Sequence, residues 1–350
     1  LYTFIGGFLA VSYTDVVQGV LMFCALVIVP VMALVALDNP GDIFSWATDH
    51  AYGPWPDGNP TYFNMIAGVS AATIIGNIAW GLGYFGQPHI VTRFMALRSP
   101  VEARSGRRTG MIWASICYLG GIFTALVSTV YFSQHSANVT DQSGFETVFL
   151  DLARVLVHPL VAGIILTAVL AAIMSTMSSQ LLITSSALIE DLYRIFKKQP
   201  SKTSLLVLSR SMVVAVAVVA MLMAFNPSDT ILGLVGFAWA GFGAAFGPVV
   251  IASLYWRRLT APGAIVGMIV GAVTVFIWGT FFSDIIYELV PGFILASVAM
   301  VIVSLLTTPA RGVEEEFDRA IAVTEQAVHD PNETFQHALE DTPRTETPSP

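Results

Sequence analysis

The sequence predicts an all-α polytopic membrane protein, and three observations carry that prediction. Hydrophobic residues make up 55% of the 350, charged residues only 11%, and mean hydropathy is +0.71, a balance that excludes an ordinary water-soluble domain. Eight apolar runs, near 12–37, 63–85, 110–132, 160–188, 205–225, 230–254, 262–282 and 289–307, come at or near the ~20 residues a helix needs to cross a bilayer. Fifteen of the sixteen Lys and Arg fall in alternate loops, and the others hold only Arg154. A missed or invented span would scatter these charges over both faces. By the positive-inside rule the basic side is cytoplasmic, with both ends of the chain inside.

The net charge of −8 says little about partners, because much of the acid lies in the C-terminal tail and in the outer loop 38–61, with Asp38, Asp42, Asp49 and Asp57. No nucleic-acid partner is implied. Cys24 and Cys117 both lie inside apolar spans, so neither a disulfide nor a cysteine metal site is expected. The loop 133–158 is also outside, and Phe145 to His158 reads as a short amphipathic surface helix. Residues 1–307 form a transmembrane domain and 308–350 a cytoplasmic tail. The tail opens with a short surface helix from Glu314 and becomes disordered from Asp330, where Pro, Thr and Glu dominate. The chain begins at Leu1, not at a methionine, and enters apolar sequence at once, so missing residues are expected upstream.

The first span carries Asp15 and then Gln18; an acid near a span is a functional candidate by default, but Asp15 lies close to the cytoplasmic end, where it reaches water or caps the helix. The second span is more informative. Gly76, Gly81, Gly83 and Gly86, with Pro88 close behind, weaken the helix at mid-membrane and beyond, and transporters use such interruptions to expose backbone carbonyls and helix ends to a solute. Trp80 and Tyr84 are one turn apart, and in an unbroken helix Pro88 would follow one turn later. Trp80 is too deep for an interfacial aromatic belt. His89 reads as a loop residue, with no metal partner at ligand spacing.

The fourth span carries Leu170-Ala-Ala-Ile-Met-Ser-Thr-Met-Ser-Ser-Gln180 where a span should be purely apolar. At about 100° per residue Ala172, Ser175, Thr176 and Ser179 share one face, and the stripe continues to Ser186. Ile165, Leu166, Leu170 and Ile173 are expected on the lipid side. Back-bonding of the hydroxyls to the preceding turn is the plainer alternative. In the sixth span Gly233, Gly236, Ala240, Gly243, Ala244 and Gly247 form a small-residue face with Trp239 and Phe242 beside it, which points to close helix packing, with a moving helix that gates the cavity as the sharper alternative that spacing does not separate. The seventh and eighth spans are nearly featureless, as peripheral helices would be.

Three long segments, Gly81-Leu-Gly-Tyr-Phe-Gly-Gln-Pro-His-Ile90, Ala171-Ala-Ile-Met-Ser-Thr-Met-Ser-Ser-Gln-Leu-Leu182 with Ser185-Ser-Ala and Glu190-Asp-Leu-Tyr193, and Ala238-Trp-Ala-Gly-Phe-Gly-Ala-Ala-Phe-Gly-Pro-Val-Val250, resemble the sodium:solute symporter family. The likeness runs from about residue 1 to 307. It implies an inverted-repeat, five-plus-five helix transporter core, present in part, whose last eight transmembrane helices are the eight spans here. It also implies that the family's first helices, which complete each site, are partners missing from this chain. The implied activity is sodium-coupled symport of proline or a similar small solute by alternating access across a bacterial cytoplasmic (inner) membrane. Sodium is the coupling ion, lipid the surroundings, and neither an organic cofactor nor an enzymatic reaction is implied. The family's sodium site takes the carbonyl of Ala172 and the hydroxyls of Ser175 and Thr176. Its solute site takes Trp80, Tyr84, Pro88 and Ser179, the last standing where the family usually has cysteine. A symporter of another small organic solute, a non-transporting fragment and a membrane sensor module on the same fold are the alternatives.

Overall fold

The computed structural model describes residues 2–49, 63–64, 66–97, 100–135, 142–189, 202–225, 230–310 and 312–329. The expected disorder from Asp330 onward, residues 50–61 of the outer loop 38–61, and Glu190 to Tyr193 lie outside the described residues. In chain order the helices are α1 (Tyr2–Val35), α2 (Asp42–Asp49), α3 (Ala71–Gly83), α4 (Pro88–Met95), α5 (Pro100–Gln134), α6 (Gln142–Leu156), α7 (Pro159–Ser186), α8 (Lys202–Ala224), α9 (Ile231–Tyr255), α10 (Ala261–Phe281), α11 (Leu289–Leu306) and α12 (Val313–His329). Among the described residues every regular element is helical, and seven helices are long and apolar enough to cross a membrane. They answer to seven of the eight apolar runs. The remaining run, 63–85, holds α3, which is 13 residues long, and this is the span whose glycines predict an interruption.

The chain forms two compact units. The first comprises Leu1–Ala67 and Gly110–Thr230. Its core gathers Val29 and Ala33 of α1, Val127 and Val130 of α5, Leu152 of α6, and Ile165 and Ala168 of α7. Pro30 lies inside α1 and has no N–H to give the carbonyl of Leu26, four residues back. Gly120 of α5 comes against that carbonyl: a Cβ on residue 120 would lie 2.8 Å from the Leu26 oxygen. The proline that frees a carbonyl and the glycine that lets a second backbone reach it are thus two parts of one crossing.

Three expectations are corrected in this unit. Ile165 is buried, with 2% of its surface exposed, because it precedes Ala172 by seven residues and so lies on the same face rather than toward lipid. The buried hydroxyl near the end of α7 is Ser185, at 0% exposure, and not Ser186, which is exposed. Asp15 lies well inside α1 and is half-buried, so it caps no helix. The surface helix expected at 145–158 is α6, and its Leu152 and Ala153 are fully buried.

The second unit comprises Gly68–Thr109 and Ile231–Pro350. Here α10 and α11 are not featureless. A Cβ at Gly267 would lie 2.9 Å from the Met300 side chain, and one at Gly292 would lie 2.7 Å from Val275. At one end of this seam Thr260 accepts from the Gly263 N–H at 3.2 Å, and its hydroxyl lies 2.7 Å from that of Thr307. The small residues and hydroxyls that bind membrane helices together were present in both spans, but spread over helix faces that the sequence alone does not pair.

Candidate functional site

The interruption of the second span is built locally. Ser70 caps α3 by accepting from the Thr73 N–H at 3.1 Å. After Gly83 the helix tightens to a single 3₁₀ turn over Tyr84–Gly86, Gln87 is extended at φ −81 and ψ 111, and Pro88 starts α4 as its first residue. Proline suits that position, where no N–H is needed. Pro88 therefore opens a new helix instead of following Trp80 and Tyr84 down one. His89 lies in the first turn of α4 and not in a loop.

A break inside a span leaves carbonyls to be satisfied. Gln87, 3% exposed, supplies the donor: its side-chain amide donates to the carbonyls of Gly83 at 3.3 Å and Trp239 at 3.2 Å. Trp239 of α9 returns the connection, its indole N–H donating to the Trp80 carbonyl at 3.0 Å. The backbones come close enough that a Cβ on Gly86 would be driven into the Phe242 carbonyl, and one on Gly243 would lie 2.7 Å from the Gly83 Cα. The small-residue face of α9 is thereby a packing face, with Gly236, Ala240, Gly243, Ala244 and Gly247 buried.

The aromatic wall is larger than Trp80 and Tyr84. Trp80 stacks on Trp239, with ring centroids 5.5 Å apart, and on Tyr287, at 5.8 Å, both within 13° of parallel. Tyr84 meets Trp239 edge-on at 4.7 Å. The Tyr287 hydroxyl donates to the Gly236 carbonyl at 2.7 Å. Pro88 is half-buried. Trp239, Tyr287 and Gln87 escaped sequence reasoning as site residues. Trp239 was visible as the one indole beside a glycine face, and Gln87 as a lone amide between a glycine and a proline.

The other predicted residues lie on α7, in the first unit. The Ser175 hydroxyl donates to the Ala172 carbonyl at 2.8 Å, so the back-bonding alternative describes the geometry. It does not remove the oxygens, since a donating hydroxyl keeps its lone pairs and the carbonyl keeps a second one. Ser178 and Ser179 both donate to the Ser175 carbonyl at 3.0 Å, and both are buried, at 3% and 5% exposure. Ala172 and Ser175 are half-buried and Thr176 is exposed. The structure thus joins Ala172, Ser175 and Ser179 in one cluster of oxygens, adds Ser178 to it, and leaves the Thr176 side chain on the surface of its unit. Leu170 and Ile173, 57% and 56% exposed, lie on the surface of their unit.

The chain is 46% identical over 320 residues to the high-affinity proline transporter PutP of Bacillus subtilis, covering 91% of this chain and 65% of that protein. It is 44% identical over 326 residues to the sodium/proline symporter of Escherichia coli, covering 92% and 63%. The chain therefore spans less than two thirds of the length of either relative. A solved structure of a Na+-coupled sialic acid symporter in a substrate-bound outward-open state matches with TM-score 0.69 at 21% identity, over 89% of this chain and 65% of that one. That likeness shows the transporter fold that the sequence led us to expect. Residues 1–271 match the family profile, and the chain belongs to the sodium:solute symporter family.

Proposed function

We propose that this chain is the larger part of a sodium-coupled symporter of L-proline or a closely similar small solute, working by alternating access in a bacterial cytoplasmic membrane with both ends of the chain inside. The observation that carries the reading is the interrupted second span. A helix broken at Tyr84–Gln87 beside an aromatic wall, in a chain 44–46% identical to proteins named for proline transport, is how such a transporter holds a solute at mid-membrane. In this reading Trp80, Tyr84, Pro88 and Ser179 face the solute, and the Ala172 carbonyl with the Ser175 and Thr176 hydroxyls supplies oxygens to sodium. Sodium needs several oxygens to replace its hydration shell, so α7 contributes part of the shell and helices outside this chain complete it.

Uptake of labelled proline into proteoliposomes tests the proposal, with the chain reconstituted together with a fragment carrying the N-terminal helices of a relative. An inward sodium gradient drives uptake and an equal potassium gradient does not. Ser175→Ala and Thr176→Ala each raise the sodium concentration needed for half-maximal uptake, with protein levels unchanged. Uptake indifferent to sodium, or unaltered sodium dependence in both variants, overturns the assignment.

A further inference from the structure

A cleft of about 310 Å³ opens in the second unit between the first three turns of α3 and the turn joining α10 to α11. Thr73, Asn77 and Trp80 line it from α3, spaced to share one helix face. Asp284, Tyr287 and Glu288 line it from the turn. Among the described residues no lysine, arginine or histidine lines it. By the charge asymmetry of the loops, this is the outer end of the unit.

Glu288 sets the chemistry. It is nine-tenths buried, at 9% exposure, and among the described residues no hydrogen bond or ion pair reaches its carboxylate. A carboxylate that lines a cleft without a counter-charge favours a cationic ligand. Its field is felt next door, where burial and the Glu288 charge push the Tyr287 phenol above its ordinary range. The turn that carries it is held by its neighbours. Gly76 admits the turn so closely that a Cβ there would lie 3.0 Å from that of Tyr287. The Tyr287 hydroxyl is tied to Gly236, and the Trp278 indole N–H donates to the Ile286 carbonyl at 3.0 Å. Asp284, exposed at the rim, adds a second negative charge.

We propose that this cleft docks the ammonium end of a small zwitterionic solute, one to two turns outside the break at Tyr84–Gln87. An ammonium offers up to three N–H donors to the Glu288 carboxylate, the Asn77 amide oxygen and the Thr73 hydroxyl. Aromatic rings beside it favour an organic cation over a strongly hydrated metal ion. The volume is at the lower end for ligand pockets and suits a solute of a few heavy atoms. The identity of the solute rests on the transport reading above; the binding of an ammonium group does not.

The test is a tryptophan-fluorescence titration of the whole chain in lipid nanodiscs, at constant ionic strength. The probes are pyrrolidinium chloride, uncharged tetrahydrofuran, and sodium chloride. Pyrrolidinium gives a saturable change and tetrahydrofuran gives none. Glu288→Gln raises the apparent dissociation constant about tenfold, since a desolvated charge partner is lost, and Asp284→Asn raises it a few-fold as a rim charge does. Should Glu288→Gln fail to fold, Glu288→Asp and Asp284→Asn carry the same comparison. An unchanged titration in the variants, or the same response to tetrahydrofuran, overturns the proposal. Saturation by sodium at equal concentration reassigns the cleft to an inorganic cation and also overturns it. The titration uses no sodium gradient and no uptake, so its failure and that of the transport reading are separately visible.

Discussion

The indole N–H of Trp239 donates to the carbonyl of Trp80 at 3.0 Å while the two rings stack with centroids 5.5 Å apart. One residue of α9 thus holds both the backbone just before the break and the side chain assigned to the solute. The break is a packed feature, held by a partner helix, and not a loose stretch of glycine.

Trp239→Phe keeps an aromatic ring and removes the donor. Interhelical hydrogen bonds of membrane proteins average about 0.6 kcal/mol, so a lowered midpoint of thermal unfolding in detergent is expected. Trp239→Ala also removes the stack and costs more, about 3–5 kcal/mol if the cavity does not collapse. Equal midpoints for the parent and the phenylalanine variant would show that the hydrogen bond contributes nothing.

Gln87→Leu leaves the Gly83 and Trp239 carbonyls without their shared side-chain donor. A buried polar group left unsatisfied costs about 1–3 kcal/mol. Hydrogen exchange should therefore rise across α3 and its 3₁₀ turn more than across α10, and uniform exchange would count against the bridging role.

Gly243→Ala forces a methyl to 2.7 Å from the Gly83 Cα and 2.9 Å from Leu289, whereas a methyl at Gly81 would meet nothing within 4 Å. Overpacking of this kind costs about 1–3 kcal/mol. The first variant should lose stability, while Gly81→Ala should match or exceed the parent by gaining helix propensity. The reverse order in thermal unfolding would contradict the crossing described.

Arg257→Ala removes the ion pairs that tie α12 to the end of α9, 2.8 Å to Asp318 and 3.7 Å to Glu314. All three side chains are about half exposed, so the expected loss is below about 1 kcal/mol and falls further with salt. Limited proteolysis should speed up within α12 without a change in the global unfolding midpoint. A large drop in that midpoint would mean that α12 helps hold the unit together.

The apolar spans, the interruption after Gly83, the oxygens of α7 and the small face of α9 were all legible in the sequence. Each depends on chemistry local to one helix: apolar length, glycine and proline in the backbone, or residues three and four apart. What lay beyond it required knowing which helix meets which. Gln87 and Trp239 are bonded across 152 residues, and Trp239 reaches Trp80 across 159. Tyr287 and Glu288 gain their meaning only because α3 lies against the turn they occupy, and Ile165 is buried because α1 and α6 cover its face. The burial of apolar surface that makes a span is nearly indifferent to the neighbour. Close packing and hydrogen bonding between helices are not, and so the tertiary structure alone decided which residues pack against the break.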